Sequence, residues 1–388
     1  MALPQVTFNI AENGLDLAGD GVQKIPGLVV SGASVVGKVQ VGDVNRIFSV
    51  EEAEALGITD ADNPLAYQHV KDFYKEAGRG AELNIMLVSS ATSYEDMADP
   101  LENHAKKLLN ESGGRIRILG LVKEEEATPT ITSGIDEDSK LGATKLQALA
   151  DEFAEKYMPF RAVISGNNFN GAVGDLEDFT ESDLPNVAMS IANTDGSGIA
   201  AIGLLVGRAA TIPTQRSIAR VKDGAVELLE AYLTDGSSVE SYTDSWDAIH
   251  NKAYIFMRSF PGRAGYYFTD DPTMTADTND FSSLARGLVI DEALIIANNT
   301  LTAELNDEVP MTDDGKIQPV VIKSFQGQLE SDIDQLMTAN EKISSVKAFI
   351  DADQNVLQTD KIVINLSIVP VGYAKTIEVN LGFTTNIT

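Results

Sequence analysis

The segment KIVINLSIVPVGYAKTIEVNLGFTTNIT, residues 361–388, decides the fold prediction. In its first half, apolar side chains recur at every second position: Ile362, Ile364, Leu366 and Ile368. A period of two is typical of a half-buried β-strand. Pro370 and Gly372 end this strand, since proline cannot donate to a ladder and both residues favour turns.

A second alternation follows and runs almost to residue 388. Its apolar positions are Ile377, Val379, Leu381 and Phe383. A strand with one apolar face needs a sheet to join. Two placements are possible. The strand completes a sheet of its own subunit, or it pairs with the open edge of a neighbour's sheet, where N–H and C=O groups are unpaired.

The other end of the sequence has a similar pattern. In LPQVTFNIAE, residues 3–12, one face carries Val6, Phe8 and Ile10. The run that follows, residues 13–21, is rich in glycine and aspartate and is typical of a flexible arm. Spacing alone leaves the same two placements open for this strand.

Composition excludes several classes of protein. Lys and Arg number 29 against 58 Asp and Glu, a net charge of −29, which excludes an ordinary nucleic-acid binder and disfavours an anionic membrane surface. With no cysteine, disulfides and thiolate chemistry are absent. The N-terminus lacks the basic and apolar regions of a signal peptide, and no apolar run reaches the length of a membrane span, so we expect a cytoplasmic protein without membrane insertion.

The order of elements predicts two kinds of domain. Strands and helices alternate from Ile25 to about Ala210, which indicates an α/β domain with a largely parallel sheet. Near Trp246 the pattern changes to α+β. The sequence also predicts helices at 94–109, 141–157, 283–305 and 324–339. It predicts a hairpin of 254–260 with 266–270.

No catalytic motif stands out. The phosphate loop, nucleophile elbow and HExxH zinc motif are all missing, and His69, His104 and His250 lack ligand spacing. Asp351 and its neighbours resemble a calcium loop, but Val356 stands where that loop needs glycine. We therefore expect no catalytic site, no metal and no cofactor. The alternative is an α/β enzyme whose site lies in the loops at the strand ends, at Ser89, 166–170 and 193–198.

Three stretches carry a resemblance to a known family. They are IPGLVVSGASVVGKVQVGDVNRIFSVEEAEALGI (25–58), PLAYQHVKDFYKEAGRGAELNIMLV (64–88) and SVKAFIDADQNVLQTDKIVINLSIVPVGYAKTIEVNLGF (345–383). In this order and total length, the chain resembles the tail sheath proteins of contractile phage tails and related contractile injection systems. The wording around the last strand, VGYAKTIEV, departs from the aromatic-proline wording usual in the family.

The resemblance implies a structural polymer and not an enzyme. Sheath subunits form six-fold rings stacked in a helix around a tail tube, exchange terminal strands, and contract by rigid-body rearrangement. The implied partners are further copies of the chain, the tail tube protein, and baseplate and terminator proteins. Assembly would take place in the bacterial cytoplasm. A non-contractile tail or baseplate protein is a second structural alternative.

The resemblance also divides the chain. Residues 1–24 are an N-terminal arm that belongs to the C-terminal domain, 25–245 an inserted outer α/β domain, 246–375 an inner α+β domain that faces the tube, and 376–388 a C-terminal arm. The strand-exchange residues are Val6, Phe8, Ile10, Ile377, Val379, Leu381 and Phe383. By family position, the candidate tube-facing residues are Lys323, Glu330, Asp334, Lys342 and Lys347.

Overall fold

The computed structural model describes residues 24–226 and 228–379. The described strands are β1 Ile25–Ser31, β2 Val44–Ile47, β3 Leu83–Val88, β4 Ile116–Val122, β5 Ile131–Thr132, β6 Ile135–Asp136, β7 Arg161–Ser165, β8 Val187–Ser190, β9 Ala192–Asn193, β10 Tyr232–Leu233, β11 Tyr254–Ile255, β12 Met257–Arg258, β13 Tyr267–Phe268, β14 Ile343–Ile350 and β15 Ile364–Pro370.

The described α-helices alternate with these strands in the first two thirds of the chain and dominate thereafter. They are α1 Val50–Leu56, α2 Pro64–Ala77, α3 Tyr94–Ala98, α4 Ala105–Glu111, α5 Glu137–Ala154, α6 Ile202–Thr211, α7 Trp246–His250, α8 Leu284–Thr302, α9 Pro319–Ile333 and α10 Val356–Thr359.

A seven-stranded sheet organises the first core. Its strand order is β11-β8-β7-β4-β1-β3-β2, and every neighbouring pair is parallel except β2 with β3. All residues of β1, β3, β4, β7 and β8 are buried. Parallel strands covered on both faces read as continuous apolar runs, and this confirms the largely parallel sheet predicted for the first half of the chain.

Two helices on one face of this sheet pack unusually close. A Cβ at Gly203 of α6 would lie 2.1 Å from the carbonyl oxygen of His69 on α2, and one at Gly207 would lie 2.6 Å from that of Phe73. The N–H of Gly203 also donates to Nδ1 of His69 at 3.1 Å. Burial lowers the pKa of His69 to about 4, so its ring is a neutral acceptor. His69 therefore acts as a packing residue between α2 and α6.

Three boundaries differ from the sequence prediction. The helix expected at 94–109 is two helices, since α3 ends at Ala98 and α4 begins at Ala105. Pro100 lies between them, and proline cannot continue a helix. Helix α5 starts at Glu137, four residues earlier than expected, because Asp136 caps it by accepting a hydrogen bond from the N–H of Asp138.

The expected hairpin is split between two sheets. Tyr254 and Ile255 extend the large sheet by pairing with β8, and only β12 and β13 pair as a hairpin. The first core consequently extends beyond residue 246, through Ile249 and Phe256 to Leu284. The packing changes at the start of α8, later in the chain than the expected domain boundary, because β11 completes the edge of the large sheet.

The second core lies among α8, α9 and the antiparallel pair β14 and β15. Helix α9 starts at Pro319, earlier than expected, and continues into a π-helical turn at Asp334–Thr338. Side chains of α9, its π-helical turn and β15 fill this core, and the β15 positions fit the predicted alternation: Leu329, Ile333, Met337, Leu366 and Ile368.

Helix α8 ties the two cores together through buried charge. The guanidinium of Arg161 on β7 donates two hydrogen bonds to the carboxylate of Asp291 on α8, both at 2.7 Å. Their side chains are 5% and 4% exposed. One residue further along α8, Glu292 pairs with Lys342, which precedes β14. Residues from both cores are thus held to one helix.

We predict that Asp291→Ala destabilises the fold by about 3–5 kcal/mol, because it leaves a buried guanidinium without its partner. Equilibrium unfolding in urea measures this loss. The double variant Arg161→Met/Asp291→Leu should recover part of it, since no unpaired charge remains. Glu51→Ala, which breaks the exposed pair of Glu51 with Arg79, is the control and should barely move the midpoint. Equal losses for Asp291→Ala and Glu51→Ala would contradict the prediction.

Candidate assembly interface

The β14–β15 hairpin is a sheet of two strands within the described residues. One face, with Ala348, Leu366 and Ile368, packs into the second core. On the opposite face, Phe349 is 59% exposed and Val369 is 53% exposed. A two-stranded sheet is only marginally stable by itself, so this hairpin depends on α8 and α9 beneath it, and it offers two edges to any further strand.

The edge formed by β14 is capped at Ala348. The N–H of Ala348 on β14 donates to Oε1 of Glu330 at 2.8 Å, and Nε2 of Gln326 donates to the carbonyl oxygen of Ala348 at 3.1 Å. Both side chains come from α9. The main-chain groups of Ala348 therefore point away from β15 and are satisfied by side chains that take the place of a neighbouring strand.

The other edge, formed by β15, pairs with no strand in the described part of the chain. Ala348 lies opposite Leu366, and residues opposite each other in an antiparallel pair either exchange both hydrogen bonds or neither. Since Ala348 points its N–H and C=O outward, Leu366 does the same on the far side of β15. No main-chain or side-chain partner for these groups of Leu366 occurs within residues 24–226 and 228–379. The far edge of β15 is thus suited to strand addition.

The predicted strand-exchange residues fall into two groups. Val6, Phe8, Ile10, Leu381 and Phe383 lie outside the described residues. Ile377 and Val379 are described and are 78% and 67% exposed. The chain forms no strand over residues 371–379, although the sequence predicts one beginning at Ile377. Among the described residues, the apolar side chains of Ile377 and Val379 are therefore uncovered.

The root of this C-terminal segment is attached to the first core. The hydroxyl of Tyr373 donates to the carbonyl oxygen of Gln215, and Nζ of Lys375 lies 2.5 Å from Oδ2 of Asp270. The same carboxylate oxygen lies 3.2 Å from Nε2 of His250. Sequence reasoning missed this cluster, because nothing local links Lys375 to a residue more than a hundred positions earlier.

The charges in this cluster perturb one another. Burial alone would raise the pKa of Asp270, but its bonds to His250 and Lys375 hold it well below the usual range. The hydrogen bond with Asp270 raises the pKa of His250. Burial and the neighbouring Asp270 charge raise the pKa of Asp271 to about 6. The cluster therefore favours one carboxylate shared by two cationic partners.

The structure separates the candidate tube-facing residues. Lys347 is 77% exposed at its side chain and pairs with Glu330 at 2.9 Å. Lys323 and Asp334 are exposed on and just beyond α9. Lys342 does not share this surface, because its ammonium pairs with the buried Glu292 and its side chain is only 17% exposed. Its position before β14 gives it a role between the cores.

The strand-end loops, the alternative enzyme site, are fastened to one another. The amide of Asn193 donates to the carbonyl oxygens of Ser197 and Ile199, and its oxygen accepts from the N–H of Gly196. The N–H of Asn168 donates to the carbonyl of Gly198 at 2.8 Å. No cluster of metal-ligating side chains occurs in the described part of the chain, and none of the described helices is long and apolar enough to cross a membrane.

Comparison with known proteins gives a family and a fold. The model of the DUF2586 N-terminal domain matches residues 3–272, and that of the DUF2586 C-terminal domain matches residues 280–388. No curated protein matches the sequence.

Solved structures of contractile sheath proteins share the fold. The helical sheath of the anti-feeding prophage in its contracted state has 13% identity, a TM-score of 0.66 and full coverage of both chains. The contracted PVC sheath complex, from an extracellular contractile injection system, has 13% identity and a TM-score of 0.59, covering 100% of this chain and 98% of its own. The sheath tail protein Lin1278 from Listeria innocua has 11% identity, a TM-score of 0.52 and coverages of 92% and 94%. The fold is therefore sheath-like, as expected from the sequence.

We predict that His250 makes stability depend on pH. The folded pKa of His250 lies above its usual value of 6.5, so its stabilising contribution is complete below that pH and is lost as pH rises through the folded pKa. Asp271, whose folded pKa is also raised, changes stability in the same direction around pH 6.

Comparison of the wild type with His250→Gln isolates the histidine. Urea unfolding between pH 5 and 9 should show a difference in free energy that shrinks as pH rises. Asn110→Gln, at an exposed position of α4 with no titrating side chain, is the control and should give a constant difference. A His250→Gln curve parallel to the wild type over the whole range would refute the prediction.

Proposed function

The chain belongs to the DUF2586 family, and from that premise we propose that it is the structural subunit of a contractile tail sheath. It polymerises around a tail tube and contracts by rigid-body rearrangement to drive the tube through a target envelope. One observation carries the proposal furthest: within the described residues of a sheath-like fold, the two-stranded sheet has an unpaired edge at β15, and Ile377 and Val379, at the start of the apolar alternation, are exposed and belong to no strand.

Strand exchange between copies would pair the edge of β15 and cover the apolar side chains of the C-terminal alternation. A strand formed by residues 377–383 of one copy adds to the open edge of β15 in another, and the N-terminal alternation, with Val6, Phe8 and Ile10, makes a second link. Each main-chain hydrogen bond contributes about 1 kcal/mol net, and each buried apolar side chain about 1.5–3 kcal/mol. Several such contacts in each link supply enough free energy to hold a polymer.

Rigid subunits suit this mechanism. The buried pair of Arg161 with Asp291 and that of Lys342 with Glu292 hold both cores to α8, so each subunit moves as a unit while its arms keep it attached. We place the first core outside and the second core toward the tube. Within the second core, Lys323, Asp334 and the Glu330–Lys347 pair form the tube-facing set, and Lys342 is removed from it.

The partners follow from this arrangement. They are further copies in a six-fold helical polymer, the tail tube protein, and the baseplate and terminator proteins at the polymer's ends. No catalytic role is included. The strand-end loops at Asn193 and Asn168 hydrogen-bond within and between themselves, and the described residues form no metal-ligating cluster there.

We expect the purified full-length protein to form long hollow tubes in negative-stain electron microscopy. A version ending at Thr376 lacks the C-terminal alternation and should remain as single subunits, because it cannot donate that strand. Circular dichroism of both proteins checks that the truncated one is folded. Small particles of uniform size from both proteins, at all salt concentrations, would refute the sheath, and rings of fixed size would favour the baseplate alternative.

A pair of matched charge substitutions tests the strand itself. Val379→Asp places a carboxylate on the apolar face of the alternation, where it would be buried on strand addition, and should abolish tubes. Asn380→Asp adds the same charge on the opposite face and should leave tube formation close to the wild type. Sedimentation and electron microscopy give the polymerised fraction. Equal effects of the two substitutions would show that residues 377–383 do not pair as a strand.

A further inference from the structure

The residues that follow β15 contact the rest of the subunit. From Pro370 it leaves the second core and crosses to the first, where Tyr373 and Lys375 make their contacts with Gln215 and Asp270. Ile377, the first residue of the apolar alternation, stands two positions beyond Lys375. The contacts thus end where the alternation starts.

The acceptor for Lys375 is a fixed one. Asp270 is 6% exposed, and its neighbour Asp271 is 2% exposed. The carboxylate of Asp271 accepts from the hydroxyl of Ser217 at 2.5 Å and from the N–H of Ala285 at 2.8 Å. Its carbonyl oxygen accepts from the N–H of Leu284 at 2.9 Å. Asp270 is thereby held between the first turn of α8 and the turn at residue 217.

Lys375, the cationic partner of Asp270, is an unusual residue in its part of the sequence. Between Lys361 and residue 388, Lys375 is the one basic residue in the sequence. In a chain with a net charge of −29, an ammonium at this position is drawn to a carboxylate that already holds His250 and has little access to water. Charge-assisted hydrogen bonds of this kind are stronger than neutral ones.

We propose that Tyr373 and Lys375 are positioning residues that fix the root of the C-terminal arm to its own subunit, so that the donated strand departs from a rigid point. This inference rests on the proposed function. The fixed root distinguishes this arm from a flexible linker: the assembled subunit keeps the Lys375–Asp270 contact and extends only the residues beyond it.

Two consequences follow from a fixed root. The eight residues from 376 to 383, fully extended, span roughly 26 Å at about 3.3 Å per residue, so the accepting edge of β15 in the neighbouring copy lies within that distance of the anchor. The anchor also removes freedom from the strand before it docks, and such preorganisation lowers the entropic cost of binding. The anchor therefore sets both the geometry and the affinity of the link.

A spin label tests the anchor without assembly. Since the chain has no cysteine, Ile377→Cys in the full-length protein gives a single labelling site, and spectra are recorded below the concentration at which polymer forms. We expect restricted motion of the label in the otherwise wild-type chain and in the control Lys361→Met. Lys375→Met should release it. Free motion already present with Lys375 intact, or no change on Lys375→Met, would overturn the proposal.

Assembly provides the second readout. Lys375→Met should raise the concentration needed for polymerisation roughly five-fold, which corresponds to about 1 kcal/mol, while Lys375→Arg should restore it and Lys361→Met should leave it unchanged. Easier assembly of Lys375→Met would overturn the proposal, because the contact would then hold the arm back in the free subunit. If the wild type forms no tubes, the proposed function fails, whereas the spin label still reports on the anchor itself.

Discussion

A ladder of two antiparallel strands leaves two rows of main-chain groups without partners, and the second core is built under that constraint. The protein treats its two rows differently. Glu330 and Gln326 satisfy Ala348 at the edge of β14, while Leu366 at the edge of β15 has no partner in the described chain. Capping an edge with side chains is a recognised protection against unwanted strand addition. The edge of β14 is therefore satisfied at Ala348, and the unpaired position at Leu366 on the edge of β15 is the one that the proposed strand addition would use.

The proposed strand addition needs a rigid accepting subunit, and the buried ion pairs of α8 favour that rigidity. Replacing a buried ion pair by apolar side chains is often neutral or stabilising, so the Arg161–Asp291 pair is weak evidence for stability as such. It does fix geometry, because a bidentate guanidinium and carboxylate meet in one arrangement. The proposed anchor of Lys375 on Asp270 belongs to the same region: Asp271 caps the start of α8, and Asp291 lies further along the helix.

The sequence predicts the large sheet well, because buried parallel strands such as β1 and β4 are continuous apolar runs that need no tertiary information. The alternation of β15 is predicted equally well from sequence. What the sequence does not predict depends on distant contacts. Tyr254 and Ile255 join the large sheet because the edge of β8 is free, and Lys342 is drawn between the cores by a buried Glu292. Two differences did have local signals: Pro100 at the α3–α4 break, which the 94–109 prediction overrode, and the capping Asp136 at the start of α5.

The distinction between local patterns and distant contacts also applies to the candidate interface. The apolar residues of the arms are visible as alternation, since strand addition selects side chains by face. The contacts that would position the arm are single side chains such as Tyr373 and Lys375, which leave no periodic pattern in the sequence.

The net charge of the subunit is a further constraint on assembly. A subunit with a net charge of −29 repels its copies, and salt screens that repulsion over about 8 Å at physiological ionic strength. Main-chain hydrogen bonds and apolar burial are far less sensitive to salt, so a polymer built by strand exchange keeps its links while the repulsion between subunit bodies varies with the medium.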